Sequence, residues 1–206
     1  MIKAENGAVC GEVRLVICFT HGITLASIKN LPLITETDLS AALKYVNEED
    51  QILHIVSAYL KRKYVQNWQV DEYGKPISKD KHFNVSHCKG AVAIVLAEFD
   101  VGVDIENVRE VKTSLIDYVS SESEREKVTC GEEFFRLWTA KESLSKAQGR
   151  GITNRIKDIP AMPYDGEKVY RGEKYYSRQI AIDGFIISVT QKDMPFKIDK
   201  KEEQIL

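Results

Sequence analysis

The sequence lacks the features that mark secreted, membrane-spanning and nucleic-acid-binding proteins. It has only four cysteines and no Cys-x-x-Cys pair, so neither a zinc site nor a disulfide framework is indicated. No apolar run reaches about eighteen residues and no basic segment leads into a long apolar run, so we expect neither a membrane-spanning helix nor a signal peptide. The formal net charge of −2 gives no electrostatic reason to expect nucleic acid or an anionic membrane as a partner. We therefore expect a protein of the reducing cytoplasm with free thiols.

Internal repeats and low-complexity linkers are absent as well. No segment recurs with a period of about 20 to 50 residues, which excludes the common repeat architectures. The 206 residues are enough to bury the core of one domain or of two small ones. Strand and helix patterns are mixed along the chain, so the residues alone predict an α+β fold.

The first half of the chain alternates apolar strands with helices. Almost wholly apolar runs predict buried strands, and apolar residues at helical spacing predict helices, the first with Thr37 or Asp38 as a candidate cap. The predicted elements are strands at 13–19, 67–72, 83–86 and 91–97, a short helix ending near Val46, a longer helix at 49–65 and a turn at 73–76.

The second half begins with an acidic strand and contains the longest predicted helix. Ser121 and Glu124 form a capping-box pattern, Gly149 and Gly151 end the long helix, and Asp183-Gly184 is typical of a type I' hairpin. The charged tail from residue 191 is expected to be frayed. The predicted elements are a strand at 101–106, a polar helical segment at 109–127, a helix at 132–148 and strands at 168–171, 174–182 and 185–190.

Acidic and basic residues in this second half form a candidate site. Asp104 and Glu106 alternate with Ile105 on a strand, so both carboxylates point to one face, with Cα atoms about 7 Å apart. Glu142 and Lys146 share one face of the long helix. Such a helical pair alone is ordinary and stabilises a helix by only about 0.2–0.5 kcal/mol. Together, acids on a buried strand and a mixed pair on a core-facing helix suggest a divalent metal beside a phosphate group.

Four short blocks resemble one known family. Residues 102–106 (GVDIE), 138–143 (WTAKES), 83–87 (FNVSH) and 73–76 (YGKP) are similar, in order and in spacing, to motifs of the 4'-phosphopantetheinyl transferase superfamily. The chain length resembles the surfactin-synthetase-activating type rather than the short trimeric type. The resemblance implies two similar α/β lobes, 1–100 and 101–206, related by a pseudo-two-fold axis, with the active site in the cleft between them.

The resemblance also implies an activity. Such an enzyme transfers the 4'-phosphopantetheine arm of coenzyme A to a serine of an apo acyl or peptidyl carrier protein, with Mg²⁺ as cofactor, and releases 3',5'-ADP. A cytoplasmic monomer is expected. The residues leave two other interpretations open: a non-catalytic homologue that binds coenzyme A or a carrier protein, and a metal-dependent phosphohydrolase, which only the acidic cluster supports.

Residue roles follow from the same resemblance. Glu142 is the expected general base, with Lys146 and Asp104 as further catalytic residues. One further glutamate, Glu122 or Glu124, is expected to reach the metal through water, and we favour Glu124. The expected metal ligands are Asp104, Glu106 and Glu142, and the expected coenzyme A contacts are Gly74, Lys75, Ser86, His87, Lys141 and Lys146.

The chain departs from the family pattern where relatives bind the 3'-phosphate of coenzyme A. The stretch 38–53 offers only Lys44 as a cation, and Leu53 stands roughly where those relatives have an arginine. His54 is the nearest substitute. We therefore expect weaker 3'-phosphate binding than in typical relatives. Cys88 replaces a serine that usually follows the Ser-His pair, a change we expect packing to tolerate.

Overall fold

The computed structural model of the chain describes residues 2–3, 9–72, 76–149, 151 and 155–205. Within these ranges the elements are β1 (Ile2–Lys3), β2 (Val9–Phe19), α1 (Leu25–Ile28), α2 (Glu36–Ala42), α3 (Glu48–Tyr64), β3 (Gln69–Val70), β4 (Pro76–Ile77), β5 (His82–Cys88), β6 (Ala91–Ala97), β7 (Val101–Asn107), α4 (Thr113–Val119), α5 (Glu122–Arg125), α6 (Gly131–Gln148), β8 (Gly166–Tyr170), β9 (Glu173–Ile182), β10 (Phe185–Lys192) and β11 (Phe196–Glu202). The fold is therefore α+β, as predicted.

Two main sheets are formed. In the first, β2 pairs antiparallel with β1 and β6, β6 pairs antiparallel with β5, and β11 runs parallel to β2. The second sheet is antiparallel, with the order β7-β10-β9-β8. A small separate hairpin joins β3 to β4. Asp183 and Gly184 have φ values of 50° and 80° between β9 and β10, the two positive angles that a type I' turn requires.

The sheets pack face to face, and a helix covers the outer face of each. Alternate side chains of β2 point in opposite directions, so Leu15 enters the core between the sheets while Val16 packs under α3. β10 follows the same rule, with Ile187 between the sheets and Ile186 against α6. The resulting layer order is helix, sheet, sheet, helix.

The two long helices agree with the periodicity of the sequence. α3 and α6 begin one residue before the predicted helices, and Gly149 ends α6 in the left-handed conformation with φ 80°. The cap of α2 was predicted wrongly. Thr35 is the N-cap, and Asp38 is its capping-box partner within the helix rather than the cap itself.

Two other segments differ from the expected lengths. The polar segment 109–127 forms two short helices, α4 and α5, and Ser121 with Glu124 makes the predicted capping box at the start of α5. The strand predicted at 67–72 is reduced to β3. The turn at 73–76 lies mostly outside the described residues.

The charged tail is ordered, contrary to the expectation of fraying. Phe196 is 1% exposed in the core between the sheets, and β11 pairs with β2 along its length. Beyond β11, Glu203 accepts hydrogen bonds from Lys63 and Tyr64 of α3. Because β11 belongs to the first sheet, the last strand crosses the division expected at residue 100.

In the described part of the chain, no helix combines the length and the apolar character that a bilayer span requires. All four cysteines are free thiols.

Candidate active site

Three elements meet at Asp104 of β7. The side chain is 5% exposed, and its Oδ1 atom accepts hydrogen bonds from Ser86 Oγ of β5 at 2.8 Å and from Lys146 Nζ of α6 at 2.6 Å. Lys146 Nζ also donates to Ser86 Oγ at 3.0 Å. The structure therefore brings a carboxylate, an ammonium group and a hydroxyl of the expected site into direct contact.

The second carboxylate oxygen of Asp104 is a candidate ligand for a cation or a donor group. Oδ2 is buried and has no hydrogen-bond partner among the described residues. A buried acceptor without a partner costs roughly 1–3 kcal/mol, so such atoms in a folded protein call for an explanation. A bound cation or donor group would satisfy this oxygen.

Glu106 and Glu142 lie in the same electrostatic field. The pKa of Glu142 is raised to about 7, first by burial and then by the charge of Asp104, with a smaller effect of Glu106. The pKa of Glu106 is also raised, mainly by burial and partly by Asp104, while a hydrogen bond from Arg109 Nη1 at 2.9 Å acts in the opposite direction. Asp104 thus raises the pKa of both glutamates, an effect that a cation between the carboxylates would relieve.

The residues fit a hard divalent cation, although no metal geometry is preformed. No group of three His, Cys, Asp or Glu side chains within the described ranges is already arranged to hold a metal ion. The donors on offer are carboxylate oxygens, which Mg²⁺ prefers, and one of them is the unpartnered Oδ2 of Asp104. Assignment of Asp104, Glu106 and Glu142 as metal ligands stays a prediction.

Gly102 allows α6 to approach the acidic strand. A Cβ atom at this position would lie 2.1 Å from Ser143 O and 2.5 Å from Ala147 N, both in the backbone of α6. Only glycine therefore lets this helix lie directly on β7, which places Lys146 beside Asp104. Buried hydroxyl pairs fix the rotation of the helix: Ser143 Oγ lies 2.8 Å from Thr190 Oγ1, and Thr139 Oγ1 lies 2.8 Å from Ser188 Oγ of β10.

Lys141 does not join this group. Its side chain is fully buried, and Nζ lies 2.8 Å from a carboxylate oxygen of Glu124 and 3.1 Å from the carbonyl oxygen of Ile156. None of these partners belongs to the carboxylate group, so the expected contact of Lys141 with coenzyme A is not supported. The lysine instead connects α6 to α5 and to the 3-10 turn Ile156–Asp158.

The same pair removes the basis for Glu124 as an outer metal ligand. Its Oε2 atom also accepts the hydrogen bond from Ser121 N at 2.9 Å that completes the capping box. With one oxygen engaged by Lys141 and Ser121, this carboxylate has a structural role. Glu122 is exposed, and no described contact ties it to Asp104 or Glu142.

His87 lies at the end of β5, within the field of Lys146. The residue is exposed to solvent, yet its pKa is lowered, chiefly by partial desolvation against its neighbours and next by the charge of Lys146. Asp50 and His54 of α3 also act on it, with opposite signs. A neutral imidazole can still donate one hydrogen bond to a phosphate, but it adds no full charge.

Asp50 of α3 brings negative charge close to His87. The first turn of this helix is acidic, with Glu48, Glu49 and Asp50, and Lys89 lies 3.5 Å from Glu49. Leu53 is buried in the core. The weak 3'-phosphate binding expected from the sequence stays a prediction, and Gly74 and Lys75 lie outside the described residues.

Residues 100–189 match the sequence model of the 4'-phosphopantetheinyl transferase superfamily. This part of the chain is similar to the 4'-phosphopantetheinyl transferases. The recognition from the four motifs is thereby confirmed. The matched segment runs from the start of β7 into β10, and it carries all three carboxylates and Lys146.

Individual 4'-phosphopantetheinyl transferases show the same relationship. The gsp protein of Aneurinibacillus migulanus is 30% identical over 139 residues, which are 58% of this chain and 57% of that protein. Sfp of Bacillus subtilis (strain 168) is 30% identical over 95 residues, 42% of each chain. The psf-1 protein of Bacillus pumilus is 27% identical over 118 residues, 50% of this chain and 49% of that protein. The chain spans about half the length of the relatives it matches.

Sequence reasoning missed Arg109 of this transferase relative. It follows β7 in an irregular segment, where no periodic pattern shows which way a side chain points. The one available signal was its position three residues after Glu106, a spacing that in an extended chain does not imply contact. The bend after Asn107 produces the contact, and Arg109 Nη1 also donates to Asn107 O at 2.8 Å.

Proposed function

We propose that the protein transfers the 4'-phosphopantetheine group of coenzyme A to a serine hydroxyl of an apo acyl or peptidyl carrier protein and releases 3',5'-ADP. The observation that carries the proposal is the environment of Asp104. One oxygen of this buried carboxylate is engaged by Lys146 and Ser86, and the other has no partner among the described residues. The relationship to proteins named 4'-phosphopantetheinyl transferases supports this chemistry.

Asp104, Glu106 and Glu142 would hold the Mg²⁺ ion of the reaction. When bound, the ion would neutralise negative charge on the pyrophosphate of coenzyme A. The unpartnered oxygen of Asp104 and the raised pKa of Glu142 both support a cation at this place.

Glu142 would accept the proton of the attacking serine. The serine oxygen forms a new bond to the phosphorus that carries the pantetheine arm, and the bond from that phosphorus to the oxygen of 3',5'-ADP breaks. The pKa of about 7 applies to the metal-free site, and a bound cation would lower it, so Glu142 would be ionised and able to accept a proton near neutral pH. Lys146, one turn further along α6, would balance the charge that develops on the leaving phosphate.

The remaining expectations complete the proposal. Ser86 and His87 would contact coenzyme A from the first sheet, and Gly74 and Lys75 would lie against its adenine. The halves 1–100 and 101–206 would form lobes related by a pseudo-two-fold axis, with the cleft between them as the site. We expect the protein to act as a monomer in the cytoplasm.

A non-catalytic protein that binds coenzyme A or a carrier protein is the alternative. The acidic first turn of α3 favours it, because negative charge there weakens the binding of an anionic ligand beside His87. The charged group of the site favours the enzyme, because such a group is costly without a ligand to balance it. Its four members are Asp104, Glu106, Glu142 and Lys146.

Intact-mass spectrometry of carrier proteins tests the proposal. The protein is incubated with coenzyme A, Mg²⁺ and several apo carriers, and the expected result is a mass gain of one phosphopantetheine group on at least one carrier. Glu142→Gln is expected to slow the transfer by about 10²–10⁴-fold, the usual contribution of a general base. Glu132→Gln, on an exposed position of the same helix, is the matched control and should leave the rate unchanged.

Two outcomes would contradict the enzyme. No mass gain on any carrier, with coenzyme A binding intact, would favour the binding protein. Release of inorganic phosphate without carrier modification would indicate the phosphohydrolase instead.

A further inference from the structure

Arg109 forms an ion pair with Glu106, one of the three carboxylates of the site. Its Nη1 atom lies 2.9 Å from Glu106 Oε2 and 2.8 Å from Asn107 O, and its guanidinium group lies 4.4 Å from the centre of the Phe135 ring. A carboxylate that is to bind a cation is thus already neutralised by a cation of the same chain.

The two β7 carboxylates form ion pairs that differ in their exposure to solvent. Lys146, which pairs with Asp104, is 26% exposed, and Asp104 itself is almost wholly buried. The Arg109 side chain is 57% exposed and that of Glu106 is 20% exposed. An ion pair with one largely exposed partner contributes little to stability, so Arg109 can leave Glu106 at little cost.

The backbone of Arg109 is fixed by α6, and its guanidinium group has contacts besides Glu106. Gly131, at the start of α6, packs against the carbonyl of Arg109 so closely that a Cβ atom would lie 2.2 Å from that oxygen. The guanidinium group already lies against the Phe135 ring, one turn further along α6, and this cation–π contact does not depend on Glu106. Arg109 can therefore release Glu106 while it stays anchored beside the site.

We propose that Arg109 competes with the divalent cation for Glu106 and so sets the metal affinity of the site. This inference rests on the proposed function, because it takes Glu106 as a metal ligand. Arg109 pairs with Glu106 when the site holds no metal, and the guanidinium group moves away from Glu106, keeping its contact with the Phe135 ring, when a divalent cation takes the carboxylate. The charge of Glu106 is thereby balanced in the metal-free state, as that of Asp104 is by Lys146.

Binding of Mn²⁺ to the full chain, followed by the loss of the free-ion electron paramagnetic resonance signal, tests the inference without reference to turnover. Arg109→Gln is expected to bind Mn²⁺ on the order of 3- to 10-fold more tightly than the wild type, because both the ion pair and a nearby positive charge are removed. Arg109→Lys should lie between the two. Arg136→Gln, which breaks a 2.9 Å pair with Glu132 elsewhere on α6, is the matched control and should bind as the wild type does.

A Glu106→Gln background separates competition from a general charge effect. If Arg109 competes for Glu106, the gain from Arg109→Gln disappears in the Glu106→Gln protein. A gain of equal size in both backgrounds would overturn the inference, and so would unchanged Mn²⁺ affinity in Arg109→Gln. If that unchanged affinity is accompanied by normal carrier modification, the proposed function survives, whereas absence of Mn²⁺ binding in every variant overturns the metal assignment itself.

Discussion

At the scale of single residues, the site is defined by opposed charges rather than by any one side chain. Asp104 raises the pKa of both Glu106 and Glu142, Glu106 adds to the shift of Glu142, and Lys146 acts in the opposite direction on both glutamates. The pKa shift is largest for Glu142, because burial and its acidic neighbours raise its pKa from 4.5 to about 7.

This shift predicts a pH dependence of stability in the metal-free protein. Between pH 4.5 and about 7 the folded chain keeps a proton on Glu142 that the unfolded chain has released, so a rise in pH through this window lowers the free energy of unfolding. Glu142→Gln has no such proton, and it is expected to lose less stability across the window and to exceed the wild type above it. Urea unfolding at pH values on both sides of the window measures the difference.

Glu132→Gln is the control for this measurement, because Glu132 is exposed on the same helix. If the free energy of unfolding changed with pH in the same way in the wild type and in Glu142→Gln, the Glu142 carboxylate would not titrate in the window. That result would contradict the raised pKa of Glu142.

The residues of the site could be predicted from the sequence only in part. Alternation along a strand and spacing along a helix were enough to group Asp104 with Glu106 and Glu142 with Lys146. Neither rule says which neighbour a long side chain reaches. Lys141, adjacent to Glu142, turns to a buried glutamate of a separate helix, and only the packed structure determines that choice.

At the scale of elements, the approach of α6 to β7 determines the geometry of the site. The backbone of the helix touches the strand at Gly102, where a methyl group would overlap with Ser143 O and Ala147 N. Any larger residue must push α6 away from β7 and take Lys146 with it.

Gly102→Ala is therefore expected to destabilise the protein by about 3 kcal/mol, because two backbone atoms block the new methyl group and neither can move independently of the helix. Gly11→Ala in β2 is the matched control, since its Cβ would meet only the flexible side chains of Met194 at 3.3 Å and Gln191 at 3.5 Å. Urea unfolding compares the two. Equal stability of both variants would show that the helix does not rest on the strand as described.

Elements with a strong period were predictable, and those fixed by distant partners were not. α3 and α6 follow from their apolar spacing, and β6 from its continuous apolar run. β11 has charged residues at most positions, so its sequence resembles a solvated tail. Its order comes from parallel pairing with β2, far away in sequence, and from the contacts of Phe196 and Glu203.

At the scale of the whole molecule, the site exists because the two sheets meet. Ser86 belongs to the first sheet and Asp104 to the second, and Val103 N donates a hydrogen bond to Asn84 Oδ1 at 3.1 Å beside them. The family motifs could predict that these segments share a site, but not the layer order that places α3 and α6 on opposite outer faces.

The Mg²⁺ dependence of coenzyme A binding, measured by titration calorimetry, tests whether the strand and the helix share one cation. Mg²⁺ is expected to tighten coenzyme A binding to the wild type and to Glu132→Gln, and Asp104→Asn and Glu142→Gln are each expected to lose this enhancement. If either site variant kept the full enhancement by Mg²⁺, the strand and the helix would not share one cation beside the pyrophosphate, and the proposed site would be wrong.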